Sequence, residues 1–270
     1  MSSSPYNRVS FTGVEVTVPA AAPAPGRGGG GPAGPRTILQ GITADLTEQR
    51  VAVIGGNGSG KSTLLRLVNG LVRPTGGQVL VNGLDPSADG GRVRRQVGFV
   101  FTDPLSQLVM PTPREDIELS LRRVHRRGAD RRRAAEEILA TYGLSELADN
   151  SIYDLSGGER QLAALATVLA VDPRILVLDE PSTLLDLRNT RLLHRVFEAL
   201  GQQLIMATHD LEFAAEFDRA LVIHAGRAVF DGSAADAVAF YRGLCADDAA
   251  WPRTAGRHPG HSAPSGNGAP

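Results

Sequence analysis

Apolar positions along this chain come in short clusters whose spacing changes from two to between three and four and back again. Residues 11–18 alternate apolar and polar side chains, with Val14, Val16 and Val18 on one face, and their β-branched content predicts a strand. A second strand is expected around residues 42–46. Residues 51–54 form a short apolar run that leads straight into glycines, and Leu64, Leu65 and Val68 then recur at helical spacing over 61–69. The local order is strand, glycine-rich turn, helix. Residues 78–81 and 97–101 predict two more strands. From about 113 to 154 the period is helical, most clearly over 131–142, so a helical subdomain is expected over about 113–171. Residues 175–178, 204–207 and 221–223 are β-rich runs separated by helical patterns, the signature of an α/β fold with a largely parallel sheet.

Two stretches fall outside these patterns. Residues 19–35 are almost wholly Ala, Pro and Gly, and read as a flexible surface loop because they cannot bury enough apolar surface to order themselves. Residues 245–270 turn to Gly, Pro, Ser and His around an isolated Trp251, and read as a disordered tail after one domain spanning 1–244. No apolar run approaches the roughly 20 residues of a spanning helix, so any membrane must be crossed by another subunit. A net charge of −1 gives no global attraction to nucleic acid, and the basic run over 122–133 reads as a solvated face. With a single cysteine, Cys245, no intrachain disulfide forms, which fits a reducing cytoplasm. Of 28 basic side chains one alone, Lys61, is lysine, so a compact ammonium on a flexible stem is needed there.

The chemistry sits in three segments. Gly55, Gly56, Asn57, Gly58, Ser59, Gly60, Lys61, Ser62 and Thr63 make a phosphate-binding loop between a strand and a helix: glycines let successive N–H groups face phosphates, and the helix start adds positive potential. Lys61 is expected at the β- and γ-phosphates of ATP, and Ser62 at Mg²⁺. The strand over 175–178 ends in two carboxylates, of which Asp179 suits Mg²⁺ and Glu180 suits orienting or deprotonating the attacking water. Leu155, Ser156, Gly157, Gly158, Glu159, Arg160 and Gln161 precede a helix with an apolar stripe, and Ser156-Gly157-Gly158 at its start can meet an anion.

In this order the three segments resemble the ABC ATPases over roughly residues 8–243. The resemblance implies a phosphate-loop ATPase fold with antiparallel N-terminal strands, a mostly parallel core sheet and a helical subdomain. It also implies two such subunits, identical or paralogous, facing head-to-tail, with Ser156, Gly157 and Gly158 of one closing the phosphate loop of the other and Asp186 acting between them. His209, in Ala207-Thr208-His209-Asp210, would contact the γ-phosphate. Two departures stand out. The family's adenine-stacking aromatic near the end of the first strand is replaced by Val18 in one frame or Gly13 in another. The family's metal-linking glutamine after the strand at 97–101 is replaced by Thr102, whose shorter hydroxyl can still offer oxygen to the metal or its water.

Val97-Gly98-Phe99-Val100-Phe101-Thr102-Asp103-Pro104, with Gln107 and Val109-Met110-Pro111-Thr112 after it, looks like the ATPases of energy-coupling-factor importers. The Thr-Asp-Pro form and Leu184-Leu185-Asp186-Leu187-Arg188-Asn189 look most like the biotin modules, with cobalt or nickel importers as the alternative and a non-transport ABC ATPase as the alternative of another class. The partners so implied are a transmembrane coupling subunit and a substrate-binding membrane subunit, with the chain peripheral on the cytoplasmic face. Phe101, Leu105, Leu108, Val109 and Met110 are expected to border the groove that receives the coupling subunit, unless they are simply core.

Overall fold

A computed structural model describes residues 7–19, 34–183 and 185–246. The chain begins with β1 (Val9–Val18), β2 (Arg36–Leu46), β3 (Arg50–Ile54), α1 (Lys61–Val68), β4 (Gly76–Val81), the short α2 (Gly90–Val93) and β5 (Val97–Val100). Then come α3 (Pro113–Ser120), α4 (Gly128–Thr141) and α5 (Gly157–Leu169). The remainder is β6 (Ile175–Asp179), α6 (Leu187–Ala199), β7 (Gln203–Ala207), α7 (Leu211–Ala215), β8 (Arg219–His224), β9 (Arg227–Ser233) and α8 (Ala234–Ala246).

The strands form two sheets. The smaller is antiparallel, in the order β2-β1-β4, and the larger runs β5-β6-β7-β3-β8-β9 with every neighbour parallel except the β8–β9 hairpin. Both faces of the larger sheet are covered, which is why its strands read as unbroken apolar runs rather than alternations. Val51, Val53, Val177 and Ile205 face α1 and the small sheet, where Leu64, Leu65, Val68, Leu39 and Ile42 pack on them. Ala52, Ile54, Leu176 and Leu178, one position out of step, face the other way into a second core with Leu165, Phe197 and Val238. Successive residues of each central strand therefore feed two different cores. Gly98 in β5 lets α5 come close: a Cβ there would sit 2.4 Å from a methyl of Val168.

The fold is the expected α/β type, and it differs from the sequence pattern at several ends. β2 starts at Arg36, well before residue 42, because Gly41 takes φ +63° and the pairing with β1 shifts register nearby, which hides the alternation of the first half. β9 has no counterpart in the expected strands; its residues alternate between exposed and half-buried at the sheet edge, a weak apolar signal. α8 carries Cys245 and runs through Ala246, two residues past the expected domain end. The rest of that tail with Trp251, positions 20–33 of the expected loop, and Leu184 lie outside the described residues. Leu108 is core rather than groove lining, whereas Leu105 and Val109 are exposed. Among the described residues no helix is long and apolar enough to cross a membrane.

Candidate nucleotide site

The site forms where β3 and β6 end. After Ile54 the backbone turns through Gly55 at φ +149°, and a Cβ at this position would lie 2.1 Å from the carbonyl oxygen of Ile223. Gly60, at φ +114°, leads into α1 without any side-chain cap, and a Cβ there would lie 2.7 Å from Leu39. Both positions require glycine for conformation and for room. The result is a helix start whose N–H groups have no side chain competing for them.

Lys61 is buried. Its Nζ donates to the carbonyls of Gly55 (2.8 Å) and Gly56 (3.3 Å) and lies 3.3 Å from Glu180 Oε1. Ser62 donates to Asp179 Oδ1 at 2.7 Å, and Arg66 reaches Asp179 Oδ2 at 3.5 Å. Asp179 is almost wholly enclosed; burial pushes its carboxyl up, and the Ser62 hydroxyl and the Arg66 guanidinium oppose this. Glu180 moves the other way. Burial pushes it up, yet Lys61, the Thr183 hydroxyl and His209 together hold it below the ordinary glutamate value. Two adjacent carboxylates thus differ in proton affinity, and the more acidic one faces the pocket.

Glu180 also has a left-handed backbone, φ +51°, fixed by its N–H donating to Ala207 (3.0 Å) and by Thr183 donating to Oε2 (3.0 Å). Non-glycine residues pay for this conformation, and it is kept here where it aims a carboxylate. His209 is exposed at the end of β7 with Nδ1 3.5 Å from Glu180 Oε2. Thr102 donates to the backbone carbonyl of Asp179 at 2.7 Å, which ties the end of β5 to the end of β6.

Beside these groups lies a cavity of about 340 Å³, which Lys61, Ser62, Thr102 and Glu180 line and Asp179 and His209 do not. Asn57, Gly58, Ser59, Gly60, Lys61, Ser62 and Thr63 make one wall, Thr102 and Glu180 contribute from the ends of the parallel strands, and Arg36 and Ile38 of β2 supply the remainder. The oxygens of Ser62, Asp179 and Thr102 suit a hard cation such as Mg²⁺. Among the described residues no cluster of three His, Cys, Asp or Glu side chains forms a metal cage.

Ser156, Gly157, Gly158 and Asp186 are not part of this cavity. Ser156 caps α5: its hydroxyl accepts from the Glu159 N–H (3.3 Å) and its own N–H donates to Glu159 Oε2 (2.8 Å), a complete capping box. Arg160 holds the preceding loop through the carbonyls of Ile152, Tyr153 and Leu155. Gly158 is buried against α6, where a Cβ would meet the Asn189 side chain at 2.3 Å. Asp186 caps α6 by accepting from the Asn189 N–H at 2.8 Å. Ser156 and Gly157 stay exposed. Neither Val18 nor Gly13 lines the cavity, so both frames for the missing aromatic miss the wall that Arg36 and Ile38 provide. Gln107, part of the importer-like segment, bridges two elements: its amide oxygen accepts from the Phe101 N–H (3.3 Å) and its amide nitrogen donates to the Ala164 carbonyl (2.7 Å), linking the loop after β5 to α5.

Comparison with known proteins points to one family. The family model described as ABC transporter matches residues 39–183. The biotin transport ATP-binding protein BioM of Rhizobium etli is 46% identical over 213 residues, covering 79% of this chain and 95% of that protein. BioM of Rhodobacter capsulatus is 36% identical over 204 residues, with 76% and 87% covered. Among solved structures, cbiO1 from Clostridium perfringens, part of the ABC transporter complex cbiONQ, superposes with a TM-score of 0.68 at 26% identity, covering 89% of this chain and 95% of that one. A dimeric ATP-binding cassette in a post-hydrolysis state, bound to ADP and Pi, gives a TM-score of 0.68 at 27% identity, with 84% and 98% covered. With the family model matching more than half of the chain and a relative 46% identical over most of both chains, the chain belongs to the ABC transporter family.

Proposed function

We propose that this chain is the ATP-hydrolysing subunit of an energy-coupling-factor importer, and that the cargo is biotin. The observation that carries the ATPase reading is the convergence of Lys61, Ser62, Asp179 and Glu180 within hydrogen-bond reach of one another beside an uncapped helix start. With ATP bound, the Lys61 ammonium exchanges its loop carbonyls for the β- and γ-phosphates, and the N–H groups of Gly58 to Thr63 cradle the chain of phosphates. Ser62 and Asp179, with Thr102 nearby, would hold Mg²⁺, which neutralises charge on the phosphate oxygens. Glu180, held ionised, orients the water that attacks the γ-phosphorus as the bond to the β-phosphate breaks, giving ADP and phosphate. His209, beside Glu180, is suited to the γ-phosphate.

Ser156 and Gly157 are exposed and absent from their own chain's cavity, which supports a head-to-tail pair in which each α5 start closes the other subunit's site. Asp186 would then act across that contact, and Leu105 and Val109 suit a membrane subunit's helix beside the site. The similarity to two BioM proteins supports biotin. In cells lacking this protein, uptake of labelled biotin should be lost, restored by the wild-type gene, and not restored by Lys61→Ala. Undiminished biotin uptake without the protein would transfer the proposal to cobalt or nickel.

A further inference from the structure

We infer that Arg36 is the platform for the nucleotide base, its guanidinium plane stacking on the purine in place of an aromatic ring. The inference rests on the nucleotide reading above and deepens it. Lys61 and Glu180 lie 3.3 Å apart and take the terminal phosphate, so the nucleoside end of ATP must lie along the wall that these groups do not occupy. That wall is Arg36 and Ile38, and no aromatic side chain among the described residues lines the cavity.

The strand that carries them is fixed to the phosphate loop. The Gln40 N–H donates to the Gly226 carbonyl (2.8 Å), and the Gly226 N–H donates in turn to Ser59 (3.0 Å). Arg227 adds a bond to the Gln40 side chain at 2.6 Å. Leu39 packs against Gly60 on the buried side of β2, so Arg36 and Ile38, two apart, share the opposite face and point to the cavity. Val18 pairs across from Arg36 in the small sheet and does not line this cavity.

Arg36 is also free to act. Its side chain is exposed and its guanidinium has no hydrogen-bond or ion-pair partner among the described residues, unlike Arg8, Arg50 and Arg219, each bound to a carboxylate or carbonyl. A planar, weakly hydrated cation stacks well on the face of a heterocycle, and Ile38 adds an apolar edge. Stacking of this kind reads a π-face and no hydrogen-bonding edge, so it discriminates little between ATP and GTP.

The test compares Mg²⁺-ATP, Mg²⁺-GTP and inorganic triphosphate as ligands of the purified full chain by calorimetry. Arg36→Ala should weaken ATP and GTP alike by about tenfold and leave inorganic triphosphate unchanged. Arg36→Lys, which keeps the charge and loses the plane, should weaken ATP nearly as much. Unchanged ATP affinity in Arg36→Ala would overturn the inference, and so would full affinity in Arg36→Lys or an equal loss for triphosphate, since either would make Arg36 a phosphate contact. If the wild-type chain bound triphosphate and ATP with the same affinity, the base would have no platform at all. Absence of any binding by wild type would instead remove the ATPase reading, and this inference with it.

Discussion

The two glycine-rich helix starts of this molecule invite comparison. Each opens with N–H groups that the helix itself cannot satisfy. α5 is capped by its own side chains: the Ser156 hydroxyl accepts from the Glu159 N–H, and the Glu159 carboxylate accepts from the Ser156 N–H. α1 does not: its cap residue is Gly60, which has no side chain to offer, and Lys61 folds back onto the carbonyls of its own loop. One start has a side-chain cap within the chain and the other has none, which suits it to a ligand. The same polar-and-glycine composition thus builds a receptor in one place and, in the other, a rigid exposed edge suited to meeting a ligand already held elsewhere.

The strongest way to break the comparison is to ask what fills α1. ATP with Mg²⁺ should raise the melting temperature of the wild type and of Glu180→Gln, and should not raise that of Lys61→Ala. Glu180→Gln should at the same time hydrolyse ATP about 10² to 10⁴ times more slowly. Wild-type turnover in Glu180→Gln would take the water-activating role from that residue.

A smaller effect is expected where α5 meets α6. Because a methyl at position 158 runs into Asn189, Gly158→Ala should cost about 1–3 kcal/mol in urea unfolding. Adding Asn189→Ala should return most of that loss. If the cost were the same in both backgrounds, Gly158 would be needed for its backbone and not for closeness to α6.

The smallest effect concerns the cap. Ser156, through its hydroxyl and its N–H, holds the Glu159 carboxyl below the ordinary glutamate value. A depressed carboxylate stabilises the fold above its unfolded pKa, and the contribution is lost as pH falls through the folded value. Glu159→Gln should therefore melt slightly lower than wild type near neutrality, and the two curves should converge in acid. A gap that stayed constant with pH would mean that the carboxylate's charge plays no part in the cap.

The contrast between the two starts also explains what could be read from the chain. Phosphate loop, acidic strand end and α5 start are contiguous segments, and each carries its own chemistry in consecutive residues. The parallel core showed itself because strands buried on both faces are continuously apolar, as over 175–178. The other side of the cavity was hidden because it is assembled from distant pieces. Arg36 comes from a strand half masked by Gly41, and Gly226 comes from a hairpin whose second strand has only a faint pattern. No periodicity connects Gln40, Gly226 and Ser59; only the folded backbone does. Val18 stands in one frame where the resemblance places an aromatic, yet its neighbour across the sheet, Arg36, is the residue that lines the pocket.

The solitary lysine has a consequence for chemical modification. The other 27 of the 28 Lys and Arg side chains are guanidinium groups, so Lys61 Nζ is the one side-chain primary amine in the sequence, and it lies buried and hydrogen-bonded inside the nucleotide cavity. Acetylation, carbamylation or any acylating reagent that reaches a lysine of this chain can reach it only there. Such a modification removes the charge that meets the phosphates, and bound ATP shields it, so the extent of modification at Lys61 itself becomes a gauge of how full the site is.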